Sequence, residues 1–195
     1  MANFITILRT FLSFLAVGLL FAPKNSFYIA AFVLTGLIIW MDGIDGYIAR
    51  KFNETSKFGA FLDILGDRIV ENVYWVAFLG LGWMPVWVPL AVLTRGLITD
   101  GLRSLAFEKG FTAFGNSTMM QSKIGKFIVA SNFVRFSYAV FKAVAFCLLI
   151  FAHIPNWNYQ GHDAVFVTAY ACAYITVFLC VLRGIPVMIE SRRFF

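Results

Sequence analysis

Asp42-Gly43-Ile44-Asp45-Gly46-Tyr47-Ile48-Ala49-Arg50 is followed, after eight residues, by Gly59-Ala60-Phe61-Leu62-Asp63-Ile64-Leu65-Gly66-Asp67. These two runs hold four of the ten acidic residues of a chain that otherwise avoids charge. Asp42 and Asp45 are three apart and Asp63 and Asp67 four apart, so each pair faces one way on a helix. Carboxylates in an apolar helix are costly and need compensation. Divalent cations supply it, because hard ions take oxygen ligands.

Outside these runs the composition is that of a membrane protein. Of 195 residues, 61% are hydrophobic and only 13% charged, with a mean hydropathy of +0.81. That length suits six spans of about 20–25 residues in one bundle, and residues 1–195 read as a single membrane-embedded domain. The expected spans are 11–22, 27–50, 58–82, 86–105, 127–154 and 164–190. The polar-edged lead-in Asn3-x-x-Thr6-x-x-Arg9 is expected as a separate interfacial helix. The fold class is therefore all-α, with six transmembrane helices and an N-terminal interfacial helix. No cleavable signal peptide is evident.

Basic residues set the topology. Arg50, Lys51 and Lys57 follow the second span. Arg103, Lys109, Lys123 and Lys126 follow the fourth, and Arg192 and Arg193 end the chain. The intervening loops carry only Lys24. This alternation places both termini and the aspartate-rich loop in the cytoplasm of a cell membrane. The net charge of +6 suits anionic headgroups or phosphorylated ligands. The basic residues are dispersed over loops, which speaks against nucleic acid. Cys147, Cys172 and Cys180 lie in apolar runs and read as small buried hydrophobes. Trp75, Trp83, Trp87 and Trp157 read as interfacial anchors. His153 and His162 read as solvated.

Helical geometry joins the two runs. Asp42, Asp45, Gly46, Ala49 and Arg50 share one face of the second span; Gly59, Asp63 and Asp67 share one face of the third. The spans are antiparallel. At 1.5 Å per residue Asp42 lies about 12 Å below Arg50, and Asp67 about 12 Å below Gly59. The pairs therefore meet at one depth, where they repel unless cations sit between them. Gly46, Ala49 and Gly59 leave room for a ligand, and Arg50 at the mouth suits a phosphate.

The full pattern, Asp42-x-x-Asp45-Gly46-x-x-Ala49-Arg50, eight residues, Gly59-x-x-x-Asp63-x-x-x-Asp67, resembles the signature of the CDP-alcohol phosphotransferase family at all eight positions. The resemblance implies transfer of a phosphatidyl-type group from a CDP-linked lipid to a hydroxyl, with release of CMP. It implies Asp42, Asp45, Asp63 and Asp67 as ligands of two Mg2+ or Mn2+ ions and Asp67 as general base. Gly46, Ala49, Arg50 and Gly59 would frame the cytidine diphosphate, and the chain would pair as a homodimer among membrane lipids.

The acceptor alcohol is open between classes. Arg95, Arg103, Lys126, Arg135 and Arg183 lie where later spans meet the cytoplasm and suit an acceptor phosphate. The Asn3-x-x-Thr6-x-x-Arg9 opening, with Arg95, Arg103 and Gly125-Lys126, is similar to glycerol-phosphate phosphatidyltransferases. The acidic residue frequent after the first of those arginines is Gly96 here. Gly59-Ala60-Phe61-Leu62-Asp63 with Asp67-Arg68 looks more like the inositol-phosphate branch. Glycerol 3-phosphate is preferred, with inositol phosphate second and serine third. The rival class is a transporter or ion channel with an acidic intramembrane site. The apolar outer halves of the spans disfavour it.

Overall fold

The computed structural model describes residues 2–51, 57–108, 122–155 and 160–192. Among them the chain is helical: α1 (Ala2–Leu20), α2 (Asn25–Lys51), α3 (Lys57–Gly80), α4 (Trp87–Glu108), α5 (Lys123–Ala130), α6 (Asn132–Ala152) and α7 (His162–Ser191). Four stretches are long and apolar enough to cross a membrane: Asn3–Leu20, Asn25–Gly43, Phe127–Ala152 and His162–Ser191. The helices form two compact units, Met1–Val86 with Ala143–Tyr170, and Trp87–Lys142 with Ala171–Phe195.

Two expectations about the spans are corrected. The polar lead-in and the first apolar run form one unbroken helix, α1, rather than an interfacial helix followed by a span. No Pro or Gly lies between Asn3 and Val17 to break it, and the Thr10 and Ser13 hydroxyls donate back to the Thr6 and Thr10 carbonyls at 2.8 and 2.6 Å. Thr6, Arg9, Ser13, Ala16 and Leu20 are its buried stripe, while Phe4, Ile7, Phe11, Phe14 and Leu15 point outward. Polar groups inward and large apolar groups outward is the arrangement that lipid favours.

The expected fifth span, 127–154, coincides with the apolar stretch Phe127–Ala152, but that stretch is broken into the end of α5 and all of α6. Ser131, at φ −60° and ψ 128°, leaves helical geometry between α5 and α6. Its N–H closes α5 on the Phe127 carbonyl, and its own carbonyl accepts the Arg135 N–H at 3.1 Å to open α6. Hydropathy reads through this break because a serine caps helices without lowering the window average much.

In the first unit the core is aromatic. Tyr74, Trp75 and Phe78 of α3 meet Phe146 of α6, with Tyr74 stacked on it at 4.8 Å and Trp75 edge-on at 5.1 Å. Tyr74 Oη and Thr35 Oγ1 of α2 are 2.8 Å apart. The Thr35 hydroxyl donates to the Ala31 carbonyl at 2.7 Å, so the phenol is the donor between the two. α3 ends at Gly80, and the turn after it passes through a left-handed Gly82 (φ 74°), where Trp83 N–H reaches back to the Phe78 carbonyl at 2.8 Å. That turn inserts Trp83 beside His153, ring centroids 4.1 Å apart, and Tyr170 Oη donates to the Trp83 carbonyl at 2.9 Å. Trp75 and Trp83 are thus core residues and not interfacial anchors, and His153 is stacked rather than solvated. Trp87 is exposed, and Trp157 lies outside the described residues.

In the second unit Ala106 of α4, Val129 of α5 and Val187 of α7 form a buried cluster with Leu102 against it. Ser122 caps α5, its oxygen accepting the Gly125 N–H at 2.9 Å while its hydroxyl donates to the buried Glu190 carboxylate. Cys172 and Cys180 are buried and Cys147 partly so, and none of the three is in a disulfide.

Candidate active site

α1 packs against both α2 and α3 and brings one cation to three acids. Arg9 Nη1 donates to Asp42 Oδ1 of α2 and lies 2.8 Å from Asp67 Oδ1 of α3; Nη2 donates to Asp63 Oδ1 at 2.9 Å. Arg9 is 2% exposed, whereas Asp42, Asp63 and Asp67 are 50%, 50% and 48% exposed. The guanidinium thus backs a cluster whose carboxylates remain half open. One oxygen from each of the three lies within 4.8 Å of the others.

The approach of α1 depends on Gly66, which lies between Asp63 and Asp67. A β-carbon there would stand 2.8 Å from Thr6 Cγ2, 3.3 Å from Thr10 Oγ1 and 3.7 Å from Arg9 Nη2. Gly59 lies in the first turn of α3, four residues before Asp63. Asp45, Gly46, Ala49 and Arg50 continue the backbone of α2, but their side chains lie outside the described residues, as does that of Lys126. Glu71 is buried one turn beyond Asp67, with Arg68 Nη1 at 3.8 Å on the same helix.

The other arginines singled out in the sequence belong to the second unit. Arg95, Arg103 and Arg135 are all close enough to Arg183 to act on it electrostatically. Arg95 is buried along α7 at Gly184, where a β-carbon would meet Arg95 Cγ at 2.8 Å. The Arg183 guanidinium lies over the Tyr138 ring at 5.3 Å. The Nε atoms of Arg95 and Arg183 are buried with no hydrogen-bond partner among the described residues. Arg103 stands 3.9 Å from Asp100. Three further guanidinium groups thus surround that of Arg183, and the Arg95 and Arg183 Nε atoms are the unsatisfied donors among them.

The family model described as CDP-alcohol phosphatidyltransferase matches residues 1–182, nearly the whole chain. The chain belongs to the CDP-alcohol phosphatidyltransferase family. It is similar to a CDP-diacylglycerol–glycerol-3-phosphate 3-phosphatidyltransferase of Pseudomonas fluorescens, 30% identical over 80% of this chain and 84% of the relative. A protein of the same name from Bacillus subtilis (strain 168) is 26% identical over 65% of this chain and 72% of the relative. An archaetidylinositol phosphate synthase of Aeropyrum pernix is 32% identical, over 47% of this chain and 46% of the relative. As a member of this family the chain is a phosphatidyltransferase, and the transporter or channel reading lapses.

The residue that sequence reasoning left without a role is Arg9. Its signal was present: Thr6, Arg9 and Ser13 lie at helical spacing on an apolar helix, and an isolated cation there requires acids nearby. Glu190 is buried as well. Its hydroxyl partner Ser122 is 68 residues away in sequence and carried no such signal.

A hard divalent cation fits the cluster on chemical grounds. The donors are all carboxylate oxygens, the choice of Mg2+ and Mn2+. They already converge on a cation, the Arg9 guanidinium, and their half-open side leaves room for another.

Proposed function

We propose that this phosphatidyltransferase moves the phosphatidyl group of CDP-diacylglycerol to the hydroxyl of glycerol 3-phosphate, releasing CMP. The convergence of Asp42, Asp63 and Asp67 carries the reading. The acceptor is supported by the two relatives named for glycerol 3-phosphate, which match most of this chain, whereas the inositol-phosphate relative matches less than half.

Asp42, Asp45, Asp63 and Asp67 would hold Mg2+ or Mn2+, as two ions. When bound, such ions neutralise the donor diphosphate and ease attack on phosphorus. Gly46, Ala49, Arg50 and Gly59 would frame the cytidine diphosphate, with Arg50 pairing a phosphate oxygen. The phosphate of the acceptor would be held by Arg95, Arg103, Lys126, Arg135 and Arg183. Asp67 takes the proton of the acceptor hydroxyl on a carboxylate oxygen while the hydroxyl oxygen bonds to the phosphatidyl phosphorus. The bond from that phosphorus to the bridging oxygen breaks, and CMP leaves with the electron pair.

Residues 1–195 act as one domain in this reading, with six spans in the cell membrane, both termini in the cytoplasm and a second copy as partner. The four apolar stretches, the inward polar face of α1 and the alternation of Lys and Arg support the membrane placement and its orientation.

CMP release by the purified protein in detergent, with CDP-diacylglycerol and Mg2+, tests the reading across glycerol 3-phosphate, inositol phosphate, inositol and serine. Release with glycerol 3-phosphate alone, lost on chelation and restored by Mg2+ or Mn2+, is expected. Release with another acceptor alone reassigns the substrate, and release insensitive to chelation removes the metal from the mechanism.

A further inference from the structure

A guanidinium with 2% exposure on an apolar helix is stable only when its charge is compensated. Arg9 meets three carboxylates from two other helices, and it touches the Oδ1 atom of each. Because Arg9 is buried and the carboxylates are half exposed, the guanidinium and the opening lie on different sides of the cluster. The packing of Thr6 and Thr10 against Gly66 leaves α1 little freedom to draw the arginine back.

We propose that Arg9 is the positioning residue of the carboxylate cluster: its planar fork holds one oxygen of Asp42, Asp63 and Asp67 on the α1 side and leaves the other oxygen of each turned to the ligand. The proposal rests on the metal-binding reading of these aspartates. Without the fork, three carboxylates within 4.8 Å repel and separate, and an incoming ion has to gather them again. A point charge does not replace the fork. An ammonium has no fixed in-plane pair of donors and cannot set three carboxylates at once.

The test is Mn2+ binding, titrated by electron paramagnetic resonance on the full chain in detergent without substrate, together with melting of the metal-free protein. Arg9→Gln is expected to weaken Mn2+ binding about ten- to a hundredfold, the range for losing a partner that orients metal ligands. Arg9→Lys is expected to melt nearer the wild type when metal-free yet still to bind Mn2+ more weakly. If Arg9→Gln does not fold, the lysine variant alone decides. Wild-type affinity in Arg9→Lys would overturn the proposal by showing that charge alone suffices. Tighter binding in Arg9→Gln would overturn it by showing that the arginine competes with the ion. Absence of Mn2+ binding by the wild type would sink the metal reading itself, and the proposal with it.

Discussion

Gly66 of α3 and Thr6 of α1 touch so closely that a β-carbon on the glycine would stand 2.8 Å from the threonine methyl. This contact lies one residue from Asp67 and one helical turn from Arg9, so packing and charge are set at the same point. The threonine methyl is a short, β-branched group with no far end to swing away.

Gly66→Ala should therefore push α1 from α3 and destabilise the protein by about 1–3 kcal/mol, the usual cost of overpacking. Thermal melting in detergent measures it. Pairing the change with Thr6→Ala should restore most of the loss, since the clashing methyl is then gone. A single mutant that melts like the wild type would mean the helices separate freely here.

Asp67→Asn keeps an oxygen that accepts from Arg9 but removes the base together with one charge of the metal-ligand set. CMP release should fall about 10²–10⁴-fold, the contribution of a positioned general base, with the melting temperature little changed. Near wild-type turnover would leave the proton to another group.

Arg95→Gln should act on the acceptor and not on the donor. Losing one charge-assisted contact of about 1.5–3 kcal/mol should raise KM for glycerol 3-phosphate about ten- to a hundredfold. KM for CDP-diacylglycerol should stay as it was. Steady-state kinetics varying each substrate in turn separates the two, and an equal rise in both would assign Arg95 a structural role.

Tyr74→Phe removes the phenol that donates to Thr35 and leaves the ring stacked on Phe146. The buried bond should be worth about 1 kcal/mol. Unfolding in denaturant should register it while CMP release does not change. A matching loss of activity would show that the aromatic core and the carboxylate cluster are coupled.

Much of this molecule was legible in the order of its residues. The spacing of Asp42, Asp63 and Asp67 put them on helix faces that meet, because helical periodicity and rise are local properties that any apolar segment obeys. Hydropathy located the helices for the same reason. It ran through Ser131, where a single capping residue splits α5 from α6, and it took the polar stripe of α1 for an interfacial face. Whether a stripe faces lipid headgroups or other helices depends on its neighbours, and the neighbours of Arg9 are 33 to 58 residues away. The burial of Trp75, the stacking of His153 on Trp83 and the closing of Ser122 on Glu190 were likewise set by which surfaces meet. Residue order alone thus determined the helices, the carboxylate faces and the family signature. Only the tertiary structure decided what stands behind the carboxylates. A counter-charge is chosen by distance in space, and the pattern along a chain does not contain it.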